Sequence, residues 1–140
     1  MKIASFLTSA LVGAAAARDT IYLVNSSKGN EVSSGMAYYG DGHESTGGSR
    51  PDDYVDVVHG SNVHWEGQPV KGTFGSGVSF TSNIFADAGG KQGNSWSGTG
   101  TNGFHTYNCY KGTGPSGKPW VLYTVDGWTV NVIYWCWPFN

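Results

Sequence analysis

Apolar positions along the chain fall into short runs dominated by β-branched and aromatic side chains. After residue 17 no window shows an apolar period of 3.6 residues, and 22 glycines and five prolines interrupt the chain. Such runs, bounded by Gly, Asn, Asp, Ser and Pro, are typical of β-strands and turns, whereas helices are disfavoured. The predicted strands are TIYLV from Thr20, MAYY from Met36, YVDVV from Tyr54, NVHW from Asn62, GVSFTSNIF from Gly77 and FHTYNCY from Phe104.

A hairpin near the end of the chain supplies two more strands. Asp126-Gly127 stands between WVLYTV and WTVNVIYW. A two-residue type I′ turn needs positive φ at both central positions, and Asp-Gly meets that need. With about eight strands and no helix, the prediction is an all-β domain spanning residues 18–140, built as a compact antiparallel β-sandwich or a small barrel.

The turn also predicts which hairpin residues face the core. Because side chains alternate along a strand, one face should be almost wholly apolar, and we expect it to point inward. Counting from the turn, this face carries Val125 with Trp128, Tyr123 with Val130 and Val121 with Val132, followed by Tyr134 and Cys136.

The opposite face of the hairpin is polar near the turn and aromatic far from it. It pairs Thr124 with Thr129, Leu122 with Asn131 and Trp120 with Ile133, and continues through Trp135 and Trp137. A solvated sheet face should be polar throughout, so either another segment covers these rings or they form a ligand platform. Tryptophan rings stack on sugars and anchor protein partners. The candidate binding residues are Trp120, Trp135 and Trp137, with Trp96 added from a long glycine-rich segment.

Two segments are predicted to be irregular. They are rich in Gly and Ser and run over residues 40–53 and 87–103. Both exceed the usual connection of about 4 to 6 residues, and loops of that length in a compact domain are functional or mobile. We expect them to add to any contact surface.

The first 17 residues have the pattern of a secretory signal peptide. Lys2 precedes an uncharged apolar run from Ile3 to about Ala14, and three alanines stand before Arg18. The run is too short for a membrane anchor, which needs about 18 apolar residues. The sequence therefore predicts a secreted, extracellular mature chain beginning at Arg18.

Secretion changes the interpretation of two further features. An oxidising compartment favours one disulfide between the two cysteines, Cys109 and Cys136. Asn25-Ser26-Ser27 is an acceptor sequence for N-glycosylation, which requires an exposed site.

The charge balance excludes some partners. Without Lys2 the mature chain has seven basic and ten acidic side chains, so its net charge is −3 with neutral histidines. Nucleic acid and anionic membranes both require a cationic surface and are not expected as partners. The acidic residues lack the spacing of a calcium loop, and His59, His64 and Glu66 lack that of a zinc site, so no metal or other cofactor is predicted.

Catalytic signatures are sparse. No nucleophile elbow, Ser-His-Asp signature or phosphate-binding glycine loop is present. Acid–base cleavage of RNA needs a carboxylate and a histidine around the phosphate, and His64, Glu66 and His105 are the candidates, with His59 and Arg50 able to complete the set. A small secreted hydrolase, in particular a ribonuclease, is therefore the alternative function. A glycosidase would draw on the carboxylates Glu44, Asp53, Asp56 and Glu66.

The overall layout resembles small secreted proteins of filamentous ascomycete fungi. The resemblance rests on the leader MKIASFLTSALVGAAAA, one cysteine pair, richness in glycine and aromatic residues, and a compact β domain. Several such proteins are effectors or elicitors, including inducers of the hypersensitive response in plants. The resemblance implies a monomeric, non-enzymatic interaction protein that acts on an extracellular host protein or glycan. It transfers no functional residue, because no family motif is present and many such families have four or more cysteines.

Overall fold

The computed structural model describes residues 19–112 and 119–139, so the predicted signal peptide lies outside the described residues. Nine strands form one antiparallel sheet, with short 3-10 turns at Thr46–Gly48 and Ala88–Gly90. The strands are β1 Thr20–Lys28, β2 Glu31–Tyr39, β3 Asp53–His59, β4 Pro69–Thr73, β5 Ser79–Ile84, β6 Trp96–Thr101, β7 Thr106–Lys111, β8 Val121–Val125 and β9 Trp128–Pro138. In these residues we find no helix that could span a bilayer.

The sheet curls into a nearly closed barrel, which confirms the all-β prediction. Its hydrogen-bonded order is β3-β2-β1-β9-β7-β6-β5-β4, and β8 pairs with β9 beside this path. The end strands β3 and β4 contact each other without ladder pairing. At this seam Gly72 of β4 lies against Met36, Val55 and Val57.

Strand β9 joins the two parts of the sheet because both of its edges form hydrogen-bonded pairs with other strands. One edge pairs with β1 from Thr129 to Cys136. The other edge is shared, since β8 pairs with residues 128–131 and β7 pairs with residues 134–138. The first and last strands of the domain are therefore direct neighbours.

Both faces of the sheet bury side chains. The interior core fills the barrel and consists of Ile21, Leu23, Met36, Trp65, Val70, Phe74, Phe80, Ile84, Ala88, Tyr107, Cys109, Tyr134 and Cys136. The outer core lies on the opposite face, where β8 and part of β9 pack with β1 and β2, and consists of Tyr22, Val24, Ala37, Tyr39, Leu122, Tyr123, Val130 and Val132. A second layer of packing therefore covers part of the barrel's outside.

The predicted turn is confirmed, with φ of 50° at Asp126 and 85° at Gly127. The first three pairs are also as predicted: Val125 with Trp128, Thr124 with Thr129 and Tyr123 with Val130. Beyond them the prediction is wrong, because the register shifts between Val121 and Tyr123 and Val121 pairs with Asn131. This bulge turns Leu122 into the outer core, where it is 2% exposed, and leaves Val121 48% exposed.

The prediction of a single apolar core face along β9 is also wrong. A register shift against β1 pairs Val24 with Val132 and Leu23 with Tyr134, so Ile133 is an extra residue. An extra residue reverses the alternation of side chains between the two faces. Val130 and Val132 therefore belong to the outer core, whereas Tyr134 and Cys136 belong to the interior core.

Two strands lie where none was predicted, and one predicted strand is absent. NVHW is extended but unpaired, and Trp65 instead inserts into the interior core and donates from Nε1 to Asn25 Oδ1. Strand β4 was missed, and β6 lies inside the segment predicted to be irregular. Glycine is required by packing at Gly100 of β6, because a Cβ there would lie 2.4 Å from Cζ of Phe80. The segment 40–52 between β2 and β3 is irregular apart from one 3-10 turn, as predicted.

The predicted disulfide is confirmed. Cys109 and Cys136 are directly opposite each other on β7 and β9, and both are fully buried in the interior core. The bond joins the C-terminal half of β9 covalently to its neighbour. It thereby fixes the strand pair that carries most of the surface tryptophans.

Candidate functional site

Aromatic side chains from three neighbouring strands share the outer surface of the barrel. Trp96 on β6 is opposite Tyr110 on β7, and Tyr110 is opposite Trp135 on β9. Trp137 lies two residues further along β9 and so points to the same side. We call Trp96, Tyr110, Trp135 and Trp137 the aromatic platform. Because strands lie about 4.8 Å apart, these rings form a continuous patch.

Ring contacts join three members of the aromatic platform in series, and Phe85 holds the fourth, Trp96. The centroids of Tyr110 and Trp135 are 4.7 Å apart with the planes inclined by 31°. Trp135 and Trp137 meet edge to face at 6.5 Å, and Trp96 meets Phe85 in the same way at 4.8 Å. These separations are those of favourable aromatic pairs, so the rings are positioned before any ligand arrives.

Asparagine side chains fix the orientation of two indoles. Trp96 Nε1 donates to Asn108 Oδ1 at 3.0 Å, and Trp135 Nε1 donates to Asn94 Oδ1 at 3.3 Å. With their N–H groups satisfied in this way, the indole faces remain available for contact. Trp96 is 53% exposed and Trp137 is 36% exposed, whereas Tyr110 and Trp135 are half-buried.

The structure therefore brings together three of the four predicted tryptophans. The fourth, Trp120, packs against the outer core, and its ring meets Tyr22 edge to face at 5.8 Å. Tyr110, Asn94 and Asn108 were not predicted. The signal for Tyr110 was its position beside Cys109, since neighbours of an inward cysteine on a strand point outward.

Two of the alternative catalytic residues lie near each other. His64 Nδ1 is 3.5 Å from Glu66 Oε1, and Glu66 Oε2 accepts a hydrogen bond from the Tyr134 hydroxyl at 2.5 Å. Burial, followed by this bond to the carboxylate, raises the pKa of Tyr134. Burial also lowers the pKa of Lys111, whose Nζ lies 5.4 Å from the centroid of the Tyr134 ring. Glu66 thus has a structural partner in the interior core.

His105 is far from this pair. It precedes β7 in the turn from β6, where its carbonyl accepts from the Thr101 hydroxyl. Glu66 instead bonds to Tyr134, which pairs with Lys111 at the opposite end of β7. Six residues of strand separate His105 from Lys111, about 20 Å at 3.3 Å per residue. The three candidates do not share a cleft, and a hydrolase site built on them lacks the required convergence.

The predicted glycosylation acceptor lies within a central strand. Asn25 is partly buried on β1 and pairs with Asn131 of β9. Its Oδ1 accepts from Ser34 Oγ at 2.6 Å and from Trp65 Nε1 at 3.3 Å. The side chain thus connects three segments of the domain.

Metal-ligating side chains are dispersed in the part of the chain that the structure describes. Over residues 19–112 and 119–139, no three His, Cys, Asp or Glu side chains gather closely enough to hold a metal ion. Comparison of the chain with protein-family models, with curated proteins and with solved structures finds no match. Any functional proposal therefore rests on the residues themselves.

Proposed function

We propose that this protein is a secreted, non-enzymatic interaction protein that binds glycan chains through the aromatic platform. The observation that carries the proposal is the row of four aromatic residues on neighbouring strands of one outer sheet surface. Tyr110, Trp135 and Trp137 contact in series, and Trp96 and Trp137 are each more than one-third exposed. Isolated exposed tryptophans are common, but a contiguous, pre-oriented group marks an interaction site.

The chemistry of the platform favours carbohydrate. Sugar rings have apolar C–H faces that pack on indole planes, and their hydroxyl groups bond to amides such as Asn108. The negative charge of the mature chain opposes nucleic acid and anionic membranes. The platform extends over β6, β7 and β9, so it offers contacts to several successive sugar residues of a chain.

The effector or elicitor class is the finer part of the proposal. It is supported by the N-terminal sequence, the single cysteine pair and the resemblance to small secreted fungal proteins. In this view the platform contacts a glycan in the cell wall or at the cell surface of a host. A host protein presenting apolar side chains is the other partner that the rings would accept.

Binding to defined glycans tests the proposal directly. The purified protein is applied to a glycan array and sedimented with insoluble cellulose, chitin and xylan, beside the Trp96→Ala and Trp137→Ala variants. Each variant should bind about tenfold more weakly, since losing one stacking ring costs roughly 1.4 kcal/mol or more. Phe104→Ala is the matched control, because Phe104 is 79% exposed and outside the platform.

Three results would overturn the proposal. If wild type and both tryptophan variants bind every glycan equally, the platform is not the site. If a protein partner is captured through the same rings and no glycan binds, the glycan assignment is wrong. Release of reducing sugar or cleavage of RNA by the purified protein would contradict a non-enzymatic role. For the effector class, leaf tissue infiltrated with wild type should respond, and tissue given the double variant should not.

A further inference from the structure

A cleft of about 430 Å³ lies on the outer face of the sheet, separate from the aromatic platform. The β8–β9 hairpin forms one wall, with Tyr123 and Trp128 among its residues. Strand β3 forms the other wall with Tyr54 and Asp56, and Arg50 comes from the segment before β3. The volume is within the range of small-ligand sites, about 300–1,000 Å³.

An unsatisfied hydroxyl lies at the base of this cleft. Ser26 of β1 lines it and is 5% exposed. The Tyr54 hydroxyl is close to Ser26, but over the described residues no group meets hydrogen-bond geometry with Ser26 Oγ. Because Ser26 Oγ is fully buried, it belongs to the floor of the cleft beneath the Tyr54 ring. A ligand in the cleft therefore meets the Tyr54 hydroxyl, a group that can both donate and accept.

The remaining polar groups of the cleft are already arranged. Ser33 Oγ donates to Asp56 Oδ1 at 3.0 Å, so this side chain holds the carboxylate in place. His59 Nδ1 lies 3.6 Å from Asp56 Oδ2. A carboxylate held from two sides accepts hydrogen bonds from vicinal hydroxyl groups. The Arg50 guanidinium offers several donors in the same cleft.

An aromatic surface faces these polar groups. Trp128 and His59 contact each other across the cleft with ring centroids 6.0 Å apart. Val125 and Val130 extend the apolar wall along the hairpin. The ligand thus meets an apolar wall on one side and hydrogen-bonding groups on the other.

The charges of the lining point to an uncharged ligand. Asp56 and Arg50 contribute one charge of each sign, and these two charges offset each other. A singly charged ligand would be attracted by one of them and repelled by the other, so it would gain little net attraction. We infer that the cleft binds a single neutral sugar residue, with hydroxyl groups on Tyr54 and Asp56 and its C–H face against Trp128. The inference stands apart from the proposed function, because it uses none of the platform residues.

Titration of the isotope-labelled protein with neutral monosaccharides tests this inference. Glucose, mannose, galactose, xylose and N-acetylglucosamine are added to millimolar concentrations while backbone amide shifts are followed by NMR. Shifts should concentrate at Ser26, Asp56 and Trp128. Asp56→Asn and Trp128→Ala should each raise the Kd at least fivefold. Trp137→Ala is the control and should leave the Kd unchanged, which separates the cleft from the platform.

Ser33→Ala tests whether the placement of the Asp56 carboxylate matters for binding. It should lower the thermal midpoint of the free protein and weaken sugar binding at least threefold, because the Ser33 hydroxyl is bonded to Asp56. Ser26→Ala is the matched control and should leave the Kd within twofold of wild type, since the Ser26 hydroxyl is buried beneath the cleft. If Trp128→Ala fails to fold, Trp128→Phe is used instead, and it should weaken sugar binding by a smaller factor.

Either of two results would overturn the inference. One is the absence of shifts at cleft residues with all five sugars at 50 mM. The other is tighter binding of glucuronate or glucose 6-phosphate than of glucose, which would assign the cleft to an anion through Arg50. Monosaccharide binding in the cleft of a wild-type protein that binds no glycan chain would contradict the proposed function alone.

Discussion

The two halves of strand β9 are held in the sheet by different means. Residues 134–138 pair with β7, and the buried Cys109–Cys136 bond joins them to that strand covalently. Residues 128–132 belong to the β8–β9 hairpin and are held by hydrogen bonds and outer-core packing alone. The extra residue near Ile133 separates the halves. One strand thus presents a covalently supported aromatic surface and, a few residues away, a cleft supported only by packing.

The largest loss of stability is expected when the disulfide is removed. A Cys109→Ala/Cys136→Ala protein should lose about 3.5 kcal/mol of unfolding free energy, because the bond closes a loop across a separation of 27 residues. Urea denaturation measures the loss, and wild type reduced under the same conditions is the control. In conditions where the variant is folded, glycan binding by the platform should fall more than sugar binding in the cleft. Equal losses at both sites would show that the halves of β9 are coupled.

The next largest effect is expected at Gly35, under the cleft. A Cβ at this position would lie 2.3 Å from the Tyr54 hydroxyl and 2.5 Å from the Val55 carbonyl oxygen. Gly35→Ala must displace β3 or the Tyr54 ring and should cost about 2.5 kcal/mol. Thermal and urea unfolding measure the cost.

Gly89→Ala is the matched control for Gly35→Ala, since a Cβ there meets no atom within 4 Å. Amide shifts in Gly35→Ala should change around the cleft and not at Trp96 or Trp137. Stability equal to that of the control variant would mean that the close approach of Tyr54 is not required.

A pair of tyrosine variants compares the two cores. Tyr134→Phe removes a bond to the Glu66 carboxylate and should lower the unfolding free energy by about 2 kcal/mol. Tyr22→Phe removes a bond between neutral hydroxyls, 2.8 Å from Tyr22 to Ser45, and should cost about 1 kcal/mol. Urea midpoints of the two variants give the difference. A larger loss for Tyr22→Phe than for Tyr134→Phe would show that the stronger of the two hydrogen bonds lies in the outer core.

The smallest change in stability at neutral pH is expected for the Tyr123 hydroxyl, and its contribution becomes measurable only in alkali. Burial, with the neighbouring Tyr54 and Asp56, raises the pKa of Tyr123 to about 12, while Arg50 opposes the shift. A raised pKa in the folded state means that its stabilising contribution is complete below pH 10 and disappears as the pH rises through 12. Wild-type stability should therefore fall over this range.

Tyr123→Phe isolates the contribution of this residue. Its urea midpoint should fall less steeply than that of wild type between pH 10 and pH 12. Absorbance at 295 nm follows tyrosine ionisation in the same samples. Parallel curves for the two proteins would show that Tyr123 does not titrate differently in the folded and unfolded states.

Local chemistry made part of the fold predictable. Asp126-Gly127 specifies its turn through backbone geometry, and two cysteines in a chain predicted to be secreted allow one pairing. Strand β6 escaped prediction because its glycine content is set by Phe80, a residue distant in sequence. The bulges at Leu122 and Ile133 likewise depend on whether the interior core or the outer core accommodates each side chain. The alternation of apolar and polar residues within the hairpin does not contain that information.

The candidate sites show the same limit. Trp135 and Trp137 were identifiable because an aromatic excess on the outer face of the hairpin is visible in the sequence. Trp96 was a candidate only as the tryptophan of a long glycine-rich segment. Their meeting with Tyr110 depends on β7 being inserted between β6 and β9. The cleft was not predicted, since Ser26, Tyr54 and Trp128 come from separate parts of the chain and become neighbours only after the sheet has formed.

The pairing of β1 with β9 has a consequence for how the molecule assembles. During synthesis β9, which contacts β1, β7 and β8, emerges after the other eight strands that the structure describes. Until then β1 lacks one neighbour, and the barrel cannot close around its contents. Such distant pairing makes folding slow compared with helical proteins of the same size. Ribosome-bound chains that end before Trp128 should therefore remain sensitive to protease, and protection should appear in one step when the final strand is released.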